Sequence, residues 1–247
     1  MFFRGGVGDE YPIYVFAANG FAVLNFDEGE FHNSTPGDFE TQLLYWASPI
    51  DGVAALIKKL ADMGIVDSSR VGITGLSHGA ELLDYGISHT DLFRASIASS
   101  TGYDPITYYL TSDFFRGDMS AYSLESPDGA SRGRWQRISA ALNARNVNTP
   151  LLINAADDEY VWNMERVTNL RELKKPVEMF IYPNELHIKN QPLHRLEIYD
   201  RNVDWLRFWL QDYEDPDPAK AIQYHRWHQL RTLRDAKQPS SASSLAR

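Results

Sequence analysis

Arg70-Val71-Gly72-Ile73-Thr74, running straight into Gly75-Leu76-Ser77-His78-Gly79, is the stretch whose reading decides the fold. A β-branched run ends in a serine with a glycine two residues to either side, and a helical pattern follows at once. In a strand-turn-helix of this kind the serine occupies a strained turn, and both glycines are required because a Cβ would collide with neighbouring backbone. The turn lifts Ser77 Oγ to the carboxyl edge of a sheet. The backbone N–H of His78, at the start of the helix, then faces the point where an oxyanion would form. A serine in an ordinary loop needs neither glycine, so Ser77 reads as a nucleophile.

Outward from this turn, short apolar runs alternate with helical patterns. Phe21 to Phe26, Arg70 to Thr74, Arg94 to Ala98, Pro150 to Ile153 and Val177 to Tyr182 read as strands. Each is almost continuously apolar, as strands are when both faces of a parallel sheet are covered. The fold class is therefore α/β, with a mostly parallel sheet flanked by helices. Between the first two strands, Ser48 with Pro49 at the first turn and Asp51 beyond predicts a helix start; Val53, Ile57 and Leu60 mark its face and Gly64 its end.

A serine hydroxyl needs a base, and the base needs a carboxylate to orient it. Asp157-Asp158-Glu159-Tyr160-Val161 follows the fourth strand, and Pro183-Asn184-Glu185-Leu186-His187 the fifth. Ser, then Asp, then His, each after a strand, is the chain order of α/β-hydrolases. Of seven histidines, His187 has the required place; His194 lies beyond it, and His78 sits at a helix start. Asp157 and Asp158 are adjacent, and spacing alone does not choose between them.

Composition narrows the partners. A length of 247 residues suits one large domain. A net charge of −9 gives no general attraction to nucleic acid or anionic membrane. The absence of cysteine removes thiolate catalysis and cysteine-bearing metal sites. No apolar run reaches membrane-spanning length and no leader is legible at Met1, so a cytoplasmic protein is expected. Residues 101–148 form a polar and aromatic stretch that reads as a cap. Residues 1–213 form the expected catalytic domain, 214–235 a helical extension opened by Asp217 and Pro218, and 236–247 a disordered tail. His225 and His228 share a helix face but lack a third ligand, and no metal or cofactor is expected. Arg226, Arg231 and Arg234 read as a packed or solvated face rather than a phosphate site.

The stretch Asp67-Ser68-Ser69-Arg70-Val71, the serine turn, the Asp-Asp-x-x-Val loop, the Tyr182-Pro183 to His187 turn and the closing Trp205-Leu206-Arg207-Phe208-Trp209-Leu210 together resemble the catalytic domain of prolyl oligopeptidase family serine peptidases, over roughly residues 5 to 211. The resemblance implies an α/β-hydrolase fold and hydrolysis of peptide amides without a cofactor. It selects Asp158 as the acid, because the family aspartate stands three residues before a pocket-lining valine, here Val161. It implies that Tyr103, Tyr108 and Tyr109 wall the specificity pocket. A narrower likeness, carried by Phe3 to Ile13, by Gly75 to Ala80 and by Glu214 to Ala221, is to the lasso-peptide isopeptidases, which implies a threaded peptide as substrate. Relatives place an oxyanion-binding tyrosine opposite Arg4-Gly5-Gly6; here Arg4 or a backbone N–H of Gly5 or Gly6 would replace it, Gly5 being the choice. The chain starts where relatives complete their third strand. Their first strands and amino-terminal β-propeller are thus expected to be missing, Met1 to be an internal start, and the strand at Phe21 to expose an edge open to self-association. A carboxylesterase of the same fold and an inactive remnant are the alternatives.

Overall fold

The computed structural model describes residues 13–26, 38–100, 105–121 and 123–236. Four strands, β1 (Gly72–Leu76), β2 (Ala95–Ser99), β3 (Leu151–Ala156) and β4 (Val177–Tyr182), lie side by side in that order. All are parallel, with Gly72 opposite Ala95, Ser96 opposite Leu151, and Leu151 opposite Val177. A parallel sheet brings every strand exit to one edge, so the segments beginning at Ser77, Ser100, Asp157 and Pro183 are neighbours.

Strand alternation sorts the core into two layers. Leu151, Ile153 and Ala155 face one side, against Val53 and Ile57 of α2 (Phe39–Asp62), Leu83 and Ile87 of α3 (His78–His89), and Val167 and Leu170 of α7 (Met164–Glu172). Ala95, Ile97 and Leu152 face the other, against Phe16 of α1 (Ile13–Ala18), Trp205 and Phe208 of α8 (Pro192–Gln211), and Tyr224 and Trp227 of α9 (Ala221–Asp235). Trp205 and Trp227 meet edge to face at 5.1 Å. Fully burying each such ring contributes about 2 kcal/mol or more. Glu178 on β4 accepts from Arg226 Nε at 2.6 Å and from Trp227 Nε1 at 2.5 Å, which fastens α9 to the sheet.

Between β2 and β3 come α4 (Pro105–Thr111), α5 (Asp113–Ala121) and α6 (Arg132–Gln136). Phe115, Met119, Leu124, Trp135 and Ile138 of this stretch close over Phe39, Trp46 and Leu82, giving the cap its own apolar centre. Behind the sheet edge, the buried Arg166 of α7 is paired with the buried Asp84 of α3. Removing one member of such a pair strands the other charge.

Two readings of the sequence are corrected. The long helix begins at Phe39, not at Pro49: Asp38 caps it, accepting from Glu40 N at 3.0 Å and Thr41 Oγ1 at 2.6 Å. Pro49 lies inside that helix, where the burial of Trp46, Ile50 and Val53 on one face offsets the missing N–H. Phe21 to Phe26 does not form a strand. Each strand of the described sheet has a ladder partner, whereas Phe21 turns its ring edge-on to Phe16 at 6.1 Å and Val23, Leu24 and Phe26 stay exposed. Without ladder hydrogen bonds an apolar run has no reason to hold a strand conformation. The expected edge there is accordingly not a sheet edge. Among the described residues, no helix is long and apolar enough to cross a membrane.

The arginines of α9 are held by the fold. Arg226 pairs with Glu178, Arg231 pairs with Asp212 at 3.1 Å and lies 3.8 Å over the Phe208 ring, and Arg234 lies 5.0 Å over Trp209. His228 pairs with Glu214 at 2.9 Å.

Candidate active site

Ser77 sits between the last residue of β1 and the first of α3, with φ 57° and ψ −124°. A non-glycine residue holds a positive φ only when its surroundings force it. Here the forcing is visible. Ser77 N donates to Ser99 O at 3.2 Å, while Ser77 O accepts from Ala80 N at 2.9 Å and Glu81 N at 3.2 Å. A Cβ added at Gly75 would lie 2.1 Å from Gly79 O, so only glycine allows strand and helix to approach this closely. As N-cap residue, Ser77 makes no side-chain capping bond, which leaves Oγ for other work. The His78 N–H belongs to the first turn of α3, where the helix dipole favours negative charge. The His78 ring is otherwise engaged: it stacks on Tyr45 at 4.3 Å, and its Nδ1 meets Glu81 Oε2 at 2.6 Å.

His187 stands on the segment after β4, its side chain 41% exposed. Its Nδ1 lies 2.6 Å from Oε1 of Glu159, whose side chain is only 7% exposed. An imidazole that gives its Nδ1 proton to a carboxylate presents the Nε2 lone pair as the basic atom. The residue facing the histidine is thus Glu159, while Asp158 is exposed at the surface. Asp157 accepts from Asn184 N at 2.6 Å and ties the β3 exit to the β4 exit. Spacing could not have selected Glu159. Three acids in a row enter a turn and then a 3-10 helix (Tyr160–Asn163), where no period indicates which one faces inward.

The His187 segment is joined through Ser100 to the exit of β2, the strand next to the one that leads into Ser77. Ser100 Oγ donates to His187 O at 2.8 Å, and Ser100, with φ 44°, directly follows the Ser99 whose carbonyl holds Ser77 N. Lys189 is 1% exposed and donates to Ser99 Oγ at 3.0 Å and to Ser100 Oγ. Glu185, 2% exposed, gathers the rest of the segment by accepting from Asn190 N at 2.7 Å, Gln191 N at 3.0 Å and His194 Nδ1 at 2.8 Å. Burial acts to raise the Glu185 pKa, and these donors outweigh it and hold the carboxyl below its ordinary value.

On the cap side, Val161 is exposed beside the site. Its neighbour Trp162 donates through Nε1 to Thr111 Oγ1 at 2.9 Å and meets the Tyr108 ring at 4.7 Å. Tyr108 also stacks on Phe115 at 4.0 Å, and Tyr109 turns edge-on to Trp135 at 6.2 Å. Tyr108 therefore bridges cap and acid segment, whereas Tyr109 contributes to the cap's own centre. Glu165 accepts from Ile106 N at 3.3 Å, and its burial raises its pKa. Tyr103 and the Arg4-Gly5-Gly6 segment lie outside the described residues. Among the described residues, no group of three acids or histidines is placed to hold a metal.

The model of the prolyl oligopeptidase family, Peptidase_S9, matches residues 11–213. The lasso peptide isopeptidase AtxE2 of Asticcacaulis excentricus is 41% identical over 249 residues, covering 97% of this chain and 36% of that protein. The apo AtxE2 isopeptidase structure superposes with a TM-score of 0.78 at 38% identity, over 94% of this chain and 37% of that one. An AtxE2 variant with Astexin3-dC4 bound gives a TM-score of 0.72 at 42% identity, over 76% of this chain and 29% of that one. The chain thus spans little more than a third of the curated relative it matches.

Proposed function

This chain belongs to the prolyl oligopeptidase family, and from that premise we propose that it is the catalytic part of a serine peptidase or isopeptidase acting through Ser77, His187 and Glu159. The observation that supports the reading is that a serine held at positive φ at the exit of one strand and a histidine at the exit of another leave the same edge of the sheet, and the Nδ1 of that histidine meets a buried carboxylate at 2.6 Å. In this mechanism Ser77 Oγ attacks an amide carbonyl as His187 Nε2 takes its proton, and Glu159 stabilises the imidazolium. The tetrahedral oxyanion is received by the His78 N–H and by a second donor, for which the Gly5 N–H is the proposed source. Collapse breaks the C–N bond, and His187 passes its proton to the departing amine. Water, deprotonated by His187, then releases the acid from the acyl-enzyme. The chemistry needs no cofactor. Asp158 has the solvent in place of the ring, and we assign it no part.

For the substrate we propose a threaded lasso peptide, opened at the amide that joins its amino terminus to a side-chain carboxyl. The support is the 41% identity to a protein named a lasso peptide isopeptidase. Val161 and Tyr108 are the proposed apolar walls for the acyl side of the scissile bond.

A fluorophosphonate probe is expected to label the wild-type protein and to leave Ser77→Ala unlabelled. Incubation with a lasso peptide is expected to add the mass of one water without fragmenting it. Turnover of small esters with no action on any peptide would favour the esterase alternative, and labelling that persists in Ser77→Ala would end this assignment.

A further inference from the structure

We infer that Lys189 is a positioning residue for catalysis, a buried cation that sets the direction of two serine hydroxyls and through them anchors the segment carrying His187; this rests on Ser77 and His187 being nucleophile and base. Lysine is rarely placed at 1% exposure, because an ammonium taken from water must recover its solvation through hydrogen bonds. Here those bonds run to the exit of β2. Lys189 Nζ donates to Ser99 Oγ at 3.0 Å and to Ser100 Oγ, and it reaches His187 O at 3.5 Å.

An ammonium can only donate, whereas a hydroxyl has one proton and two lone pairs. With Lys189 occupying a lone pair on each hydroxyl, both serines must send their single proton elsewhere. Ser99 Oγ sends it to Asn154 O at 3.2 Å, on β3, and Ser100 Oγ sends it to His187 O at 2.8 Å. Ser100 can aim at His187 because its backbone is held at φ 44°, with its N–H on Asn154 O at 3.1 Å. A neutral side chain at 189 would leave both hydroxyls free to rotate and to accept rather than donate. The same Ser99 supplies the carbonyl that holds Ser77 N at 3.2 Å. One cation thereby couples the backbone beneath the nucleophile to the backbone of the base, without contact to substrate. Productive proton transfer tolerates little displacement of the base, so the link acts on the chemical step.

The test uses Lys189→Met, which keeps an unbranched chain one atom shorter and without the charge, Ser100→Ala, and the double variant. Labelling rate by a fluorophosphonate, kcat and KM for peptide cleavage, and thermal melting are read on each full-length protein. Lys189→Met is expected to lower kcat and labelling about tenfold or more with KM unchanged. Ser100→Ala is expected to lower both several-fold. The double variant should be no slower than Lys189→Met, since both lie on one path. A residue that only stabilises the fold would lower the melting temperature and leave kcat of the folded protein intact, which overturns the inference. Losses that multiply in the double variant overturn it also. If Lys189→Met does not fold, Ser100→Ala decides: wild-type labelling and kcat there refute the link, and the several-fold loss supports it. Absence of labelling in the wild-type protein itself would instead remove the triad reading, and this inference with it.

Discussion

Glu159→Gln tests whether the acid of the triad is the residue that faces His187 or the one that family spacing selects. The substitution preserves shape: the amide oxygen of glutamine can take the place of Oε1, 2.6 Å from His187 Nδ1. What disappears is the negative charge that stabilises the imidazolium formed in the transition state. With charge centres about 4 Å apart and an effective dielectric of about 20, that attraction is about 4 kcal/mol. The His187 side chain is 41% exposed, so solvent screens part of it, and doubling the effective dielectric leaves about 2 kcal/mol. Since about 1.4 kcal/mol is a factor of ten in rate, kcat/KM should fall between about 30-fold and about 10³-fold. If the amide presents its NH₂ to Nδ1, the ring is driven to the opposite tautomer and the loss approaches about 10⁴-fold. Asp158→Asn alters an exposed side chain and should change kcat/KM by about twofold at most. The assay is the second-order rate of fluorophosphonate labelling beside kcat/KM for peptide cleavage, with circular dichroism to confirm folding. A larger loss in Asp158→Asn than in Glu159→Gln would refute the geometric reasoning and restore the spacing rule.

Two further outcomes follow from the same edge of the sheet. Glu185→Gln should melt about 4–8 °C below the parent at pH 7, a loss of about 2 kcal/mol for a buried acceptor of charge-assisted bonds in a chain of this size. Because the Glu185 pKa is held below its ordinary value in the folded protein, its stabilisation is complete above the unfolded pKa and is lost as pH falls through the folded one. The melting difference should therefore shrink below about pH 4, and a difference constant from pH 7 to pH 3 would count against the network. Gly75→Ala places a methyl 2.1 Å from Gly79 O and should abolish labelling, or folding altogether, whereas Gly52→Ala, whose Cβ meets nothing within 4 Å, should label at the parent rate. Equal labelling in the two variants would mean that the turn does not require its glycine.

What was legible in the sequence, and what was not, divides along a physical line. The turn at Ser77 could be read because its constraint is local: a Cβ at Gly75 would lie 2.1 Å from Gly79 O, so no side chain fits there, and that exclusion is written in the residue itself. The sheet could be read because burial on both faces leaves a continuous apolar run in each strand. Their ends could not. β1, β2 and β3 run one to three residues past those runs, to Leu76, Ser99 and Ala156, because ladder pairing continues through Gly75, Ser99 and Asn154, residues that propensity assigns to loops. The start of α2 was lost to Pro49, whose cost is local while the compensating burial of Trp46 and Ile50 is tertiary.

The least legible residues, Glu159, Glu185 and Lys189, share one property: each is a charged side chain buried on a strand-exit segment, where composition leads one to expect solvent. Such burial is tolerable only where hydrogen-bonding groups converge, and strand exits of a parallel sheet provide that convergence, since each ends in backbone groups with no ladder partner beyond. Glu185 takes two backbone N–H groups and an imidazole, Lys189 takes two hydroxyls and Glu159 takes the His187 ring. None of these sets is periodic in sequence, so none leaves a pattern. Together they tie the segments of the carboxyl edge to one another, which is what the proposed proton transfer between two segments far apart in the chain requires.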